Sequence, residues 1–242
     1  MTEVFNNENK GKPSFSFVVA TQTTEDDWRS GNKELMLMQS LEKMTLTDVD
    51  VRVWVFFDNH DGLPQVYNKA IDNIGDSDFL VFAHDDLWLN DAFFFDKVIN
   101  SKFDVIGNVG GLQYSVPGDW NTRPFIWSEA CRGKASGFVL HKHPTVPGIF
   151  LPSTFGLSPL PCVWLDGQCL ILNRKAVKRG LRFDEDFAFD FYDGSLCIRA
   201  RNLGLEVGTA PILATHLSCG QGMMAHKERY LESQRKFLKK YL

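Results

Sequence analysis

A chain of 242 residues with 44% hydrophobic content and a formal charge of −4 has room for one large α/β domain or two small ones and enough apolar material for a core. Its acidic balance leaves no overall basic field to attract nucleic acid, and no stretch approaches the length of a membrane span. Five cysteines, an odd number without C-x-x-C pairing, fit a reducing compartment such as the cytoplasm better than a disulfide framework.

Residues 1–12 are polar and rich in Asn, without an apolar run, and read as a flexible leader rather than a signal peptide. A short apolar strand over 15–20 follows, then a polar loop over 21–29 and a helix over about 32–44, with Leu35, Met38, Leu41 and Met44 on one side. Residues 51–57 alternate and then become wholly apolar, a second strand that ends on Asp58. The next helix starts near Pro64, a favoured first-turn residue, and buries Val66 or Tyr67, Ala70, Ile71 and Ile74.

The third strand is the most telling. An unbroken apolar run, Phe79-Leu80-Val81-Phe82-Ala83, stops on His84-Asp85-Asp86. Strands buried on both faces read this way, and in an open α/β sheet their carboxyl ends face the ligand crevice. Carboxylates there suit a divalent cation such as Mg²⁺ or Mn²⁺, which commonly holds the phosphates of a nucleotide; the rival reading is an Asp that caps a turn. Strand, helix, strand, helix, strand at this spacing predicts βαβ units with right-handed crossovers. With no G-x-G-x-x-G after the first strand and no G-x-x-x-x-G-K-S/T anywhere, phosphates must be held in another way.

A helix over 92–99 and a strand over 105–107 precede an irregular stretch, 108–161, rich in Gly, Pro and aromatics, which reads as a functional surface or lid. Trp120, Phe125, Trp127, Phe138 and Phe150 offer flat faces for a ring-shaped ligand or fill a core beneath loops. Order returns with strands over 163–167 and 169–172 and a helix over 174–179. An acidic cluster over 183–193 leads into a helix from 193 or 194 to 203, closed by Gly204. A last strand over 211–214 delivers His216. Residues 226–242 form a basic amphipathic helix, which either packs on the domain or meets a membrane surface or partner. Zinc at His141, His143, Cys162 and Cys169 lacks the usual ligand spacing.

Taken together, Val81-Phe82-Ala83-His84-Asp85-Asp86, Val105-Ile106-Gly107-Asn108-Val109-Gly110-Gly111, Gly118-Asp119-Trp120, Leu165-Asp166-Gly167, Phe183-Asp184-Glu185, Phe191-Tyr192-Asp193 and Ile198-Arg199-Ala200-Arg201 resemble a family 2 type glycosyltransferase with the GT-A fold, in its streptomycin-biosynthesis-protein-like branch. The resemblance implies a Rossmann-like, mostly parallel α/β sheet flanked by helices. It divides a single domain over 13–225 into a nucleotide-sugar half (13–107) and an acceptor and catalytic half (108–225).

It further implies a Mn²⁺ or Mg²⁺ ion, a nucleotide diphosphate sugar donor and a hydroxyl acceptor such as a glycan or lipid-linked glycan. A D-x-D at a strand end binds the metal in such enzymes, and here His84 replaces the first Asp. Asp86 is then the direct ligand with His216, while His84 and Asp85 touch metal, ribose or their surroundings. Thr21, Asp58 and Asn68 match positions near the nucleoside and donor. Asp166, Gly167 and Trp120 fall on the acceptor side. Asp193, at a predicted helix N-terminus where the dipole favours its ionised form, is the expected general base, and Asp190 competes with it because Ser195 stands where relatives often carry a second acid; Asp193 as a simple N-cap is the structural rival. The resemblance also implies inversion by a single displacement. A nucleotidyltransferase would bring a Gly-rich basic loop after the first strand, where residues 21–28 are acidic instead. A catalytically silent nucleotide- or carbohydrate-binding module is the alternative of a different class.

Overall fold

The computed structural model describes residues 1–74, 76–113, 133–143, 145–146, 148–217 and 227–241. The chain begins with β1 (Thr2–Asn6) and β2 (Ser14–Ala20), passes through the short helices α1 (Glu25–Arg29) and α2 (Met36–Glu42), and continues as β3 (Asp50–Phe56), α3 (Leu63–Ile74) and β4 (Phe79–His84). Then come β5 (Leu87–Leu89), α4 (Phe94–Ile99), β6 (Val105–Gly107), β7 (Val109–Gly111), β8 (Ala135–Lys142), β9 (Phe150–Gly156), β10 (Trp164–Leu165) and β11 (Cys169–Asn173). The last part holds α5 (Arg174–Lys178), α6 (Tyr192–Asn202), β12 (Val207–Thr209), β13 (Ala214–His216) and α7 (Lys227–Tyr241).

Seven strands make the main sheet in the order β1-β3-β2-β4-β11-β6-β12. Its interior strands are apolar on both faces because both faces are covered. On β2, Val18 packs against Val66, Tyr67, Ala70 and Ile71 of α3, whereas Phe15, Phe17 and Val19 face the other way, toward α2 and α4. β4 splits alike, with Leu80 and Phe82 on the α3 side and Val81 and Ala83 on the opposite one.

The parallel half is as expected, since β2 pairs in parallel with both β3 and β4. The sheet as a whole is mixed rather than mostly parallel: β1 runs antiparallel to β3 and β11 antiparallel to both β4 and β6. An apolar run such as Leu170-Ile171-Leu172 carries no mark of direction, so this was not readable. The expected flexible leader is in part an edge strand. β1 packs Val4 and Phe5 on the core, and the Asn7 and Asn9 amides donate to the carbonyls of Leu46 and Val49.

A second sheet, β10-β7-β8-β13-β5 with β9 on β8, occupies part of the stretch expected to be irregular. It lies across the carboxyl end of β4, because β5 begins two residues beyond that strand and pairs antiparallel with β13. The last strand is displaced from its expected 211–214 to Ala214–His216, which puts His216 inside it.

α7 closes the domain on one side. Phe237 is fully buried against Phe187, Phe191 and Tyr241. Lys240 pairs with Asp184 and Asp186 at 2.7 Å each, and the Tyr241 hydroxyl donates to Asp184. The basic face of the helix is therefore partly committed within the protein. No helix among the described residues is long and apolar enough to cross a membrane.

Truncating Phe237→Ala is expected to cost about 3–5 kcal/mol, the usual range for emptying a buried aromatic site. Phe93→Ala, at a position 65% exposed, should stay within about 0.5 kcal/mol; chemical denaturation of the two variants side by side checks the contrast.

Candidate functional site

The end of β4 and the end of β13 bring three donor groups together. His84 is the last residue of β4, Asp86 sits in the turn into β5, and His216 is register partner of Leu87 on β5 and of His141 on β8. His216 Nε2 lies 3.2 Å from Asp86 Oδ1 and 3.3 Å from His84 Nδ1. One ligand atom from each of the three falls within 4.8 Å of the others, and all three residues are half-buried. Two imidazoles and a carboxylate converging on one point suit a divalent transition metal. His84, expected only near the metal or the ribose, thus belongs to the same group as Asp86 and His216.

The two imidazoles are driven apart electrostatically. Burial, then the neighbouring His216, pushes the pKa of His84 below its ordinary value, against the pull of Asp86, Asp166 and Asp85. Burial also works against a charged His216, but the hydrogen bond and charge of Asp86 carry its pKa above the ordinary value. His141 stands 6.2 Å from His216 between ring centroids. Burial and then His216 depress its pKa, and its Nδ1 meets Ser153 Oγ at 2.9 Å.

A second group lies beside the first. The loop between β10 and β11 carries Asp166 and Gly167, and α6 begins with Tyr192 and Asp193. The Tyr192 hydroxyl donates to the Gly167 carbonyl at 2.8 Å and meets His84 Nε2 at 3.1 Å. Gly167 N–H donates to Asp193 Oδ2 at 2.9 Å, and Gly194 N–H to Asp193 Oδ1 at 2.7 Å. Asp193 is not the cap of α6. That position belongs to Phe191, held at φ 68° without a side-chain cap bond, a left-handed conformation rare for a bulky residue. The expected ionising influence of the helix dipole is outweighed: burial first, then the charge of Asp166, raises the Asp193 pKa to about 7, and the backbone donors of Gly194, Gly167 and Asp193 only partly offset them.

The other expected residues are placed as follows. Thr21 donates to Asp85 Oδ2 at 2.6 Å, so these two engage each other at the ends of β2 and β4. Asp58, at φ 47°, keeps a largely exposed carboxylate 3.2 Å from His60 Nε2. Asn68 donates to the Phe183 carbonyl and to Glu185 and accepts from Phe183 N–H, which spends its amide on tying α3 to the segment before α6. Asp166 accepts from Gln168 N–H at 3.0 Å, and its charge acts on His84, His216, His141 and Asp193. Asp190 accepts from Arg229 Nε at 3.0 Å, which ties it to α7. Trp120, with Phe125 and Trp127, lies outside the described residues.

Three contributors were not assigned to this site from sequence: Tyr192, which entered only within the Phe191-Tyr192-Asp193 segment, His141, which entered only as a zinc candidate, and Phe189. Phe189 is 48% exposed, with its ring 6.1 Å from His84 and the Arg229 guanidinium 5.5 Å from its centroid.

No protein-family model matches the chain, and no curated protein sequence matches it. Among solved structures, the fold is similar to that of the mannosyltransferase PcManGT from Pyrobaculum calidifontis in complex with GDP-Man and Mn²⁺, at 11% identity and a TM-score of 0.50 over 91% of this chain. It is also similar to GalNAc-T7 with UDP, GalNAc and Mn²⁺, at 11% identity and a TM-score of 0.52 over 87% of this chain. The chain fold is of the GT-A glycosyltransferase type. The alignments span 61% and 45% of those two chains.

The raised pKa of Asp193 has a thermodynamic signature. Its folded value of about 7 lies above the ordinary value of 3.8. The unfolded chain therefore loses this proton first as pH rises, stability falls through that interval, and the loss levels off above it. Asp193→Asn should raise Tm more at pH 8 than at pH 5; a gain independent of pH in thermal melts would contradict this.

Proposed function

We propose that the protein is a metal-dependent glycosyltransferase that moves a sugar from a nucleotide diphosphate sugar to an acceptor hydroxyl. The observation that carries this reading is the convergence of His84, Asp86 and His216 at the carboxyl end of β4, where open α/β sheets place their ligands. The GT-A type of fold supports it, and the two structural neighbours were captured with Mn²⁺ and nucleotide or nucleotide sugar.

The three side chains fit a divalent ion by geometry and by donor chemistry, and two imidazoles favour Mn²⁺ over Mg²⁺, which prefers an all-oxygen shell. Such an ion supplies positive charge where the departing diphosphate gathers negative charge. At the ends of β2 and β3, Asp58 would meet the nucleoside directly and Thr21 would act through its hydrogen bond to Asp85. Asp193 takes the proton of the attacking hydroxyl in a single displacement with inversion. Its environment places its pKa near neutrality, where a general base works best, whereas Asp190 is engaged by Arg229. Asp166 meets the acceptor, and Phe189 offers an apolar face beside the ion. On the resemblance of its sequence motifs we assign the enzyme to the family 2 type, in the streptomycin-biosynthesis-protein-like branch, and the buried free thiols among the described residues, Cys162, Cys169 and Cys197, accord with a reducing, cytoplasmic setting.

Thermal melts with UDP, GDP, dTDP and CDP test the donor site. One nucleotide with Mn²⁺ should raise Tm by several degrees, and by more than with Mg²⁺, as expected of a ligand present well above its Kd. Asp86→Ala should abolish the shift. Absence of any shift with every nucleotide would sink the reading, and binding without transfer to any acceptor would leave a silent binding module.

Once donor and acceptor are known, the rate should climb with pH along a limb centred near 7. Asp193→Asn should lower kcat by about 10²–10⁴-fold while leaving Mn²⁺-dependent nucleotide binding in place. An unchanged kcat would remove Asp193 as the base.

A further inference from the structure

Hydrogen-bond bookkeeping around Tyr192 decides which nitrogen of His84 can face an ion. A phenol has one proton to give. A neutral phenol keeps that proton on its ring oxygen. It is directed to the Gly167 carbonyl at 2.8 Å. Toward His84 Nε2, at 3.1 Å, the same oxygen can then only accept, which requires a proton on Nε2. In neutral imidazole the other nitrogen is a bare lone pair. That nitrogen is Nδ1, the atom 3.3 Å from His216 Nε2.

The arrangement is built rather than incidental. A Cβ at Gly167 would fall on the Tyr192 hydroxyl, so only glycine lets the phenol close on that carbonyl. Asp193, the next residue of α6, grips Gly167 N–H, and the Tyr192 ring is wedged among Tyr67, Phe183 and Phe189. The ring has no room to swing away and stays 3% exposed.

We propose that Tyr192 is a positioning residue that holds His84 as its Nε2–H tautomer, so that Nδ1 is the ligand atom offered beside Asp86 and His216. The ligand part of this inference rests on the metal-site reading above. Metal-bound histidines commonly donate their second ring N–H to an oxygen that orients them, and losing that partner typically weakens metal binding by about 10–100-fold.

The test separates the two parts. Long-range ¹H–¹⁵N correlation spectra of the metal-free full chain, with His84 assigned by its loss in His84→Gln, report the tautomer directly. The expected result is Nε2–H in the wild type and a shift toward Nδ1–H or a mixture in Tyr192→Phe, with Mn²⁺ affinity by titration calorimetry weaker by about 10–100-fold in that variant. A wild-type His84 carrying its proton on Nδ1 overturns the proposal without any variant, so poor folding of Tyr192→Phe cannot shelter it. An unchanged tautomer in a folded Tyr192→Phe overturns it as well. If the wild type takes up no Mn²⁺, the metal reading falls and the ligand role of Nδ1 with it, while the tautomer spectra still decide whether Tyr192 sets the protonation of His84.

Discussion

A strand covered on both faces has nowhere to put a charge except its ends. Leu80, Val81, Phe82 and Ala83 of β4 are all fully buried, and an unpaired ionic side chain at any of these positions would incur a desolvation penalty of several kcal/mol. His84, Asp85 and Asp86 therefore emerge together where the strand leaves the core. The antiparallel pairing of β11 extends the constraint: Cys169 lies opposite Ala83, so the residues just before it, Asp166 and Gly167, reach the same edge. The second sheet supplies the third side, with β13 set between β5 and β8 so that His216 and His141 sit in register.

Concentrating polar groups at one edge creates competition for protons, and the structure resolves it by giving each group a different environment. Asp86 lies close enough to His216 to favour its cation, and that cation helps keep His84 neutral. Asp166 and Asp193 are two carboxylates near one loop, and like charges disfavour joint ionisation. Burial, then the charge of Asp166, raises the Asp193 pKa to about 7.

The site also leans on the far side of the molecule. Phe191 at φ 68° turns the chain so that Tyr192 and Asp193 point at Gly167, a conformation that costs on the order of 1–3 kcal/mol. Burial of Phe191 against Tyr230 and Phe237 offsets that strain. α7 thus acts as a buttress for the start of α6. Its ion pairs with Asp184, Asp186 and Asp190 tie it to the acidic segment before α6.

Much of this was legible in the residues themselves. Continuous apolar runs ending on charge marked β3 and β4, the Pro64 start and apolar spacing marked α3, and Gly204 marked the end of α6. These are local properties, because side-chain period and backbone preference act within a few residues. What the residues could not reveal concerns partners far apart in the chain. The contacts of His84 with Tyr192 and His216 span 108 and 132 residues, the edge role of β1 rests on two apolar side chains, and the direction of β11 leaves no trace in its composition. The sequence by itself determined which segments are buried and that chemistry-bearing groups stand at their ends. Only the tertiary structure decided which of those groups meet and how deeply each is buried, since burial and hydrogen bonding are set by packing between distant segments.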